Sequence, residues 1–253
     1  MSRARFGWVP RVALVAVVGS IASAAPLSAQ GGDGYLFRQP KITLKFETGY
    51  SVQAATGDYL DHTRERYSVG WRDFDAPYIG GEVAFRATER WDVSFGVGLT
   101  DASVDSEDMV YYGTDDLPIE QVNELRIIPV TIGAKYYLND RGRRVSRFAW
   151  VPNRLAPYVG ASVGFAAYRF QQWGDFVNES TLEIYVDRLT SEGEGALARV
   201  LGGAMLSLGK QFELSGEARY TFAEAEMSRI DFSRYGPIGL GGFQAVIGIA
   251  ARF

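Results

Sequence analysis

Beyond residue 40 the chain alternates apolar and polar positions with a period of two, in run after run. A β-strand sends successive side chains to opposite faces, so each run reads as a two-faced strand. In Lys41–Gln53 the residues Ile42, Leu44, Phe46, Tyr50 and Val52 share one face, and Thr43, Lys45, Glu47, Gly49 and Ser51 the other. The pattern returns in Tyr78–Ala87, Trp91–Thr100, Ile128–Leu138, Tyr158–Phe170, Ala198–Leu208, Gln211–Phe222 and Leu240–Phe253. Pro129 sits near the start of its run, where a missing N–H is tolerated.

These eight runs span ten to fourteen residues each. A tilted strand needs about 9–11 residues to cross a bilayer, whereas strands of soluble proteins usually have about 5–6. The connections sharpen the contrast. Thr88–Arg90 and Gly209-Lys210 are tight turns, whereas Ala54–Pro77, Asp101–Val122, Gln171–Gly195 and Ala223–Gly239 are long. Short periplasmic turns alternating with long outer loops are the habit of outer-membrane barrels. Asn139–Ala156 is the exception, too long for a plain turn. The expected fold is all-β, an eight-stranded antiparallel up-and-down transmembrane barrel over 41–253 with long extracellular loops. A ten-stranded variant would recruit Tyr67–Phe74 and Leu182–Val186. It would place the acidic Asp101–Val122 loop on the periplasmic side, so eight strands are preferred.

The two faces separate a membrane barrel from a soluble ligand carrier, which has an apolar interior. The polar face is rich in Gly, Ser and Thr. It also carries Lys45, Glu47, Glu82, Arg86, Asp92, Lys135, Arg199, Glu213, Glu217, Arg219 and Arg252, six positive charges against five negative. Near balance suits a narrow interior, where charges must be paired to offset desolvation. The apolar face ends in aromatics. Trp91, Tyr136, Phe212 and Phe253 fall near one boundary, and Tyr50, Tyr220, Phe222 and Phe243 near the other, as in the two girdles of a lipid-facing belt.

The N-terminus reads as an export signal over residues 1–29. Arg3, Arg5 and Arg11 precede an apolar stretch from Val12 to Ala25, and Leu27-Ser28-Ala29 forms a small-residue cleavage site before Gln30. Residues 30–40 would then be a periplasmic N-terminal segment. Losing three Arg takes the net charge from −4 to −7. That acidity excludes a nucleic-acid binder with a basic face. The chain has no Cys, which excludes disulfides, thiolate metal sites and a Cys nucleophile.

The signal, IPVTIGAKYYL (Ile128–Leu138), PYVGASVGF (Pro157–Phe165) and the ending FQAVIGIAARF together resemble small outer-membrane barrels of the OmpA, OmpX and OmpW kind. The resemblance covers most of the exported chain. It implies an outer-membrane location in a Gram-negative-type bacterium, with outer-membrane lipid and lipopolysaccharide as surroundings. In those families the barrel-assembly machinery reads the final aromatic strand, and by resemblance Phe253 carries that signal.

Eight strands enclose an interior just wide enough for side chains to fill. The expected role is therefore a non-enzymatic structural or interaction scaffold, with an extracellular ligand met through the loops. Tyr59, Trp71, Phe74, Tyr111, Tyr112, Trp173, Phe176, Phe232 and Tyr235 are the candidate contact points. An alternative is a narrow channel for ions or small solutes, helped by the many inward Gly. A weaker alternative is a lipid-modifying enzyme. Its only His is His62, beside Asp61 and Thr63 with Ser68 nearby, and no motif of such enzymes surrounds it. No cofactor is expected. No metal site is expected either, although Asp101–Val122 holds seven acids and no Lys or Arg except beyond its end. In the long periplasmic connection Arg141, Arg143, Arg144, Arg147 and Arg154 oppose one acid, Asp140. With Phe148 and Trp150 among them, they suit anionic headgroups of the inner leaflet.

Overall fold

The computed structural model describes Leu36 and residues 38–113, 117–178 and 181–253. The expected export signal, and most of residues 30–37, lie outside the described residues. The elements in chain order are β1 (Ile42–Gln53), α1 (Asp58–Arg66), β2 (Ala76–Arg86), β3 (Trp91–Tyr112), β4 (Pro118–Tyr137), β5 (Gly142–Ser146) and β6 (Ala149–Pro152). They continue with β7 (Leu155–Val177), β8 (Ile184–Ser207), β9 (Phe212–Ala225), β10 (Ile238–Gly239) and β11 (Gly242–Arg252).

Eight strands form the barrel, each antiparallel to its neighbours, in the order β1-β2-β3-β4-β7-β8-β9-β11. The ring closes where β11 returns to β1, from Thr43↔Arg252 to Gln53↔Gly242. At this seam the amides of Lys41 and Ile42 donate to the Phe253 carbonyl, and the Phe253 amide donates to Ile42. Strands β5 and β6 form a separate hairpin, and β10 adds two residues to β9.

Because the ladders run in register, apolar residues meet on the outside of the wall. Phe46 opposes Ile249, Phe95 opposes Ile132, and Ile132 opposes Val163. Phe46, Phe95, Val163 and Ile249 are each about half exposed or more. Soluble monomers rarely expose contiguous apolar patches beyond a few hundred Å². An apolar belt around a whole barrel is the surface that lipid demands. Its edges are aromatic. Trp91, Phe212 and Phe253 project at the end that carries the short turns, and Tyr50, Tyr220 and Phe243 toward the end with long connections. These are called the terminal end and the far end below.

The wall is not of even height. Strands β3, β4, β7 and β8 run for 22, 20, 23 and 24 residues, against 12 for β1 and 11 for β2 and β11. Asp101–Val122 and Gln171–Gly195, expected as loops, are therefore mostly the upper parts of two hairpins. They form a four-stranded sheet raised above the far end. Alternation persists there in a muted form, with Ala102, Ser106 and Asp108 buried and Asp101, Asp105 and Glu107 exposed. Leu182–Val186, weighed as part of a ninth or tenth strand, leads into β8 instead. Tyr67–Phe74 is not a strand, and contributes only a bridge from Tyr67 to Asp108 followed by a turn.

The first long connection holds α1. Its core-facing positions are Tyr59, Leu60 and Thr63, one helical face. Asp58 and Asp61 lie in its first turn and Arg64 and Arg66 in its last, complementing the helix dipole. At the terminal end, the long Asn139–Ala156 connection folds into the β5–β6 hairpin. Leu36 pairs with Trp150 of that hairpin through two 2.9 Å backbone hydrogen bonds.

Candidate functional site

The barrel interior is filled in two layers of opposite chemistry. The mid-lumen layer is ionic. Lys45, Glu47, Glu82, Lys135, Glu217 and Arg219 come together, three cations with three anions. Arg219 grips Glu47 with a two-pronged contact at 2.7 and 2.6 Å, and also bonds Glu217. Lys135 reaches Glu82 at 2.7 Å and Glu217 at 3.1 Å. Lys45 lies 2.9 Å from Glu47 and 3.3 Å from Glu82. Tyr78 donates to Glu47 at 3.0 Å, and Tyr158 to Glu217 at 2.8 Å. Charges taken from water are tolerable only when paired and hydrogen-bonded in this way.

Register explains the meeting. Lys45 opposes Glu82 across β1–β2, Glu47 opposes Gly80, and Gly80 in turn opposes Gly98. Those two glycines leave room for the Tyr78 ring. A Cβ on Gly98 would lie 2.4 Å from the Tyr78 ring carbon Cε2, and one on Gly80 as close to its hydroxyl. The space these two inward glycines leave is therefore filled by a tyrosine.

Other expected interior charges are placed differently. Asp92 pairs at 2.6 Å with Arg141, which the sequence reading assigned to the lipid-facing basic segment. Arg141 is buried, and its guanidinium lies over the Tyr137 ring at 4.3 Å. Its place is explained by the buried Asp92 carboxylate, which needs a countercharge. Glu213 faces Arg252 at 3.5 Å. Arg199 is buried and donates to the Thr221 hydroxyl at 2.9 Å. Arg86 forms no ion pair among the described residues and sits over Trp150 at the terminal end. Arg143, Arg144, Arg147 and Arg154 are exposed there. No signal in the sequence sets Arg141 apart from Arg143 and Arg144, which are exposed.

The far-end layer is apolar. Tyr59 and Leu60 of α1, Phe74, Phe232 and Ile238 from the connections, and Leu125, Phe170 and Leu197 from the wall form one buried cluster. Tyr59 meets Phe170, Phe232 and Tyr235 edge-on, at 5.6, 4.7 and 4.8 Å between ring centres. Its hydroxyl donates to Gln172, which in turn donates to Gln121. Burial pushes the Tyr59 phenol well above its ordinary value, so the hydroxyl stays a donor. Tyr59, Phe74 and Phe232, expected as contact points, are thus spent inside the cap. Trp71, Tyr112 and Trp173 are exposed, and Tyr111, Phe176 and Tyr235 are half-buried.

Small voids lie in the lumen among the described residues. One beside Glu47, Tyr78 and Arg219 and another beside Gln53, Thr100 and Gln244 are each about 10 Å³, about the space of a single water. The exposed apolar side chains at the far end cluster on the raised sheet instead. Met109, Val110 and Leu117 lie toward one tip, and Leu182, Tyr185 and Val186 toward the other.

The candidate enzyme residues are not assembled. His62 is exposed, its ring 6.0 Å from Tyr235. Thr63 donates to the Tyr59 carbonyl, and Ser68 accepts from the Glu107 amide. The acids of the expected loop are dispersed, with Asp101 on Arg126 and Asp108 on Arg66. Asp115 and Asp116 lie outside the described residues. Among the described residues no three His, Asp or Glu gather as metal ligands.

No family model matches the chain, and no curated protein matches it. Solved structures similar to it include small outer-membrane β-barrels. The N-terminal β-barrel domain of OprF from Pseudomonas aeruginosa is 15% identical over 85% of this chain and 100% of that one, with a TM-score of 0.36. Neisserial surface protein A is 11% identical over 88% and 100%, with a TM-score of 0.43. Ail of Yersinia pestis, in its complex with the heparin analogue sucrose octasulfate, is 12% identical over 84% and 99%, with a TM-score of 0.40.

Proposed function

We propose that this protein is an exported, non-conducting barrel of a Gram-negative-type outer membrane that serves as a scaffold for contacts made by its raised sheet. In this orientation the terminal end faces the periplasm and the far end the outside. The reading rests chiefly on the closed lumen, an ionic layer beneath an apolar cap with voids of about 10 Å³. It also rests on the export signal and the belt. The far end offers no catalytic grouping around His62. It offers a rigid sheet edged with exposed Met109, Val110, Tyr185 and Val186. Exposed apolar patches framed by charge mark interaction sites, and Asp187, Arg188 and Glu107 supply that frame. The surrounding outer-membrane lipid and lipopolysaccharide contact the belt.

Single-channel recording of the refolded chain in a planar bilayer tests this reading. A verified folded barrel is expected to give no reproducible conductance steps. Steps that change on neutralising Glu82 or Arg219 would replace the scaffold by a narrow channel. Phe253 is proposed as the mark read by the assembly machinery. Its deletion removes the seam bonds to Lys41 and Ile42 and is expected to lower the heat-modifiable folded fraction in membranes.

A further inference from the structure

The terminal end carries a feature that the closed lumen does not use. A half-open cleft of about 540 Å³ lies between the N-terminal segment, the β2–β3 turn and the β5–β6 hairpin. Arg38, Lys41, Arg86, Arg144 and Arg147 line it, with Glu89 as the one acid. None of the five cations forms an ion pair among the described residues. Glu89 is engaged by the Gln39 side chain at 2.5 Å, and Gln39 accepts from Arg144 at 3.3 Å. Trp150 is buried at the cleft wall, with the Arg86 guanidinium 5.3 Å from its ring centre.

Arg86 lines the cleft from the end of β2. Its Nε and Nη1 are shielded from solvent and have no hydrogen-bond partner. Arg86 also stands opposite Asp92 across β2–β3 without closing an ion pair to it, so its positive charge adds to the field of the cleft it lines. A guanidinium is planar and always charged, and its fork of donors matches phosphate and carboxylate oxygens. The hairpin that forms one wall also carries Val145 and Phe148 at its tip, 60% and 62% exposed. Apolar side chains beside cations are how a segment lies in an acidic bilayer surface.

We propose that this cleft is a binding site for a phosphate-type oxyanion, and that its occupant is the headgroup of an acidic phospholipid of the adjoining leaflet. The proposal rests on the membrane-barrel reading above. The cleft volume falls within the range of about 300–1,000 Å³ usual for small-molecule sites, so it holds a headgroup and not a single ion alone. Arg86 and Arg144 reach the phosphate oxygens, Arg38, Lys41 and Arg147 supply the surrounding field, and Val145 with Phe148 meets the acyl boundary. The site would hold the β5–β6 hairpin to the membrane on the side opposite the raised sheet.

The test uses the full exported chain, refolded and confirmed by its heat-modifiable shift on a gel, in mixed micelles of phosphatidylglycerol and phosphatidylcholine. Native mass spectrometry reads the lipid retained, and inorganic phosphate is added as competitor. The unaltered protein is expected to retain phosphatidylglycerol over phosphatidylcholine. Each cation at an acidic lipid surface is worth roughly fivefold, so the R86Q/R144Q/R147Q variant should lose about a hundredfold. The R144Q/R147Q variant alters only exposed side chains and should fold normally with an intermediate loss. Equal phosphatidylglycerol preference in the unaltered and both altered proteins would overturn the site. Saturable binding of inorganic phosphate with no preference between the two lipids would overturn the lipid assignment in favour of a soluble phosphate. Failure of the barrel reading is seen separately, as absence of the gel shift.

Discussion

The mid-lumen layer and the far-end cap close the same tube by different physics. In the mid-lumen, Arg219, Lys135 and Lys45 hold Glu47, Glu82 and Glu217. Every member is held by at least two others, and Glu47 and Glu217 also by a tyrosine hydroxyl. In the cap, Tyr59, Phe170 and Phe232 close the mouth by area and edge-on aromatic contact, which is less directional. The ionic layer is also tied to the wall on all sides, through β1, β2, β4 and β9. The cap draws α1 and the β9–β10 connection, both parts of long connections. Losing a member of the first should weaken the whole barrel. Losing a member of the second should loosen the far end alone, since cooperative units open separately.

Substitution in the ionic layer should have the largest effect. Glu217→Gln strands Lys135, Arg219 and Lys45 with one anion fewer. Breaking a buried pair from one side costs about 3–5 kcal/mol, and a drop of that order in unfolding free energy by urea titration in lipid vesicles is expected. A change within error would mean that the layer is solvated and not structural. Next comes Phe232→Ala in the cap. Truncating a buried Phe costs about 3–5 kcal/mol where the structure is cooperative. Here it should appear as faster trypsin cleavage at Arg229 and Arg234, with the heat-modifiable shift of the barrel retained. Loss of that shift would join the two regions into one unit.

A smaller effect separates them by pH. Burial raises Tyr59 and Tyr67 above the ordinary phenol range, and both lie in the first far-end connection. A raised acid favours the neutral form in the folded state. Its contribution is whole below the unfolded phenol value of about 10 and falls as pH climbs above it. Protease resistance of the cap should therefore decline above that pH, whereas it should be flat between pH 6 and 9. A decline already complete below pH 9 would contradict a role for these buried phenols.

The eight strands were legible because two media face the wall. Period-two alternation between Phe46, Phe95 or Ile249 outside and Lys45, Glu82 or Glu217 inside leaves a plain hydropathy record. The raised sheet was not legible because polar residues stand on both of its faces. Ser106, Asp108 and Asn123 are buried there against exposed Asp101, Asp105 and Glu107, and hydropathy does not separate such sets. The helix α1 escaped for a similar reason. Asp58–Arg66 has only Tyr59, Leu60 and Thr63 on its buried face, and its structure comes from the cap that receives them. The ionic layer was foreshadowed by the balance of inward charge. The role of Arg141 depends on the β5–β6 hairpin folding beneath Asp92, which no local pattern records.

The ionic layer is expected to close the tube without help from α1. Replacing residues 56–75 with a short Gly-Ser link removes that helix, since β1 and β2 already lie side by side at Ser51↔Ala76. Single-channel recording of this barrel should remain silent, and reproducible conductance steps would show that the ionic layer alone leaves the lumen open.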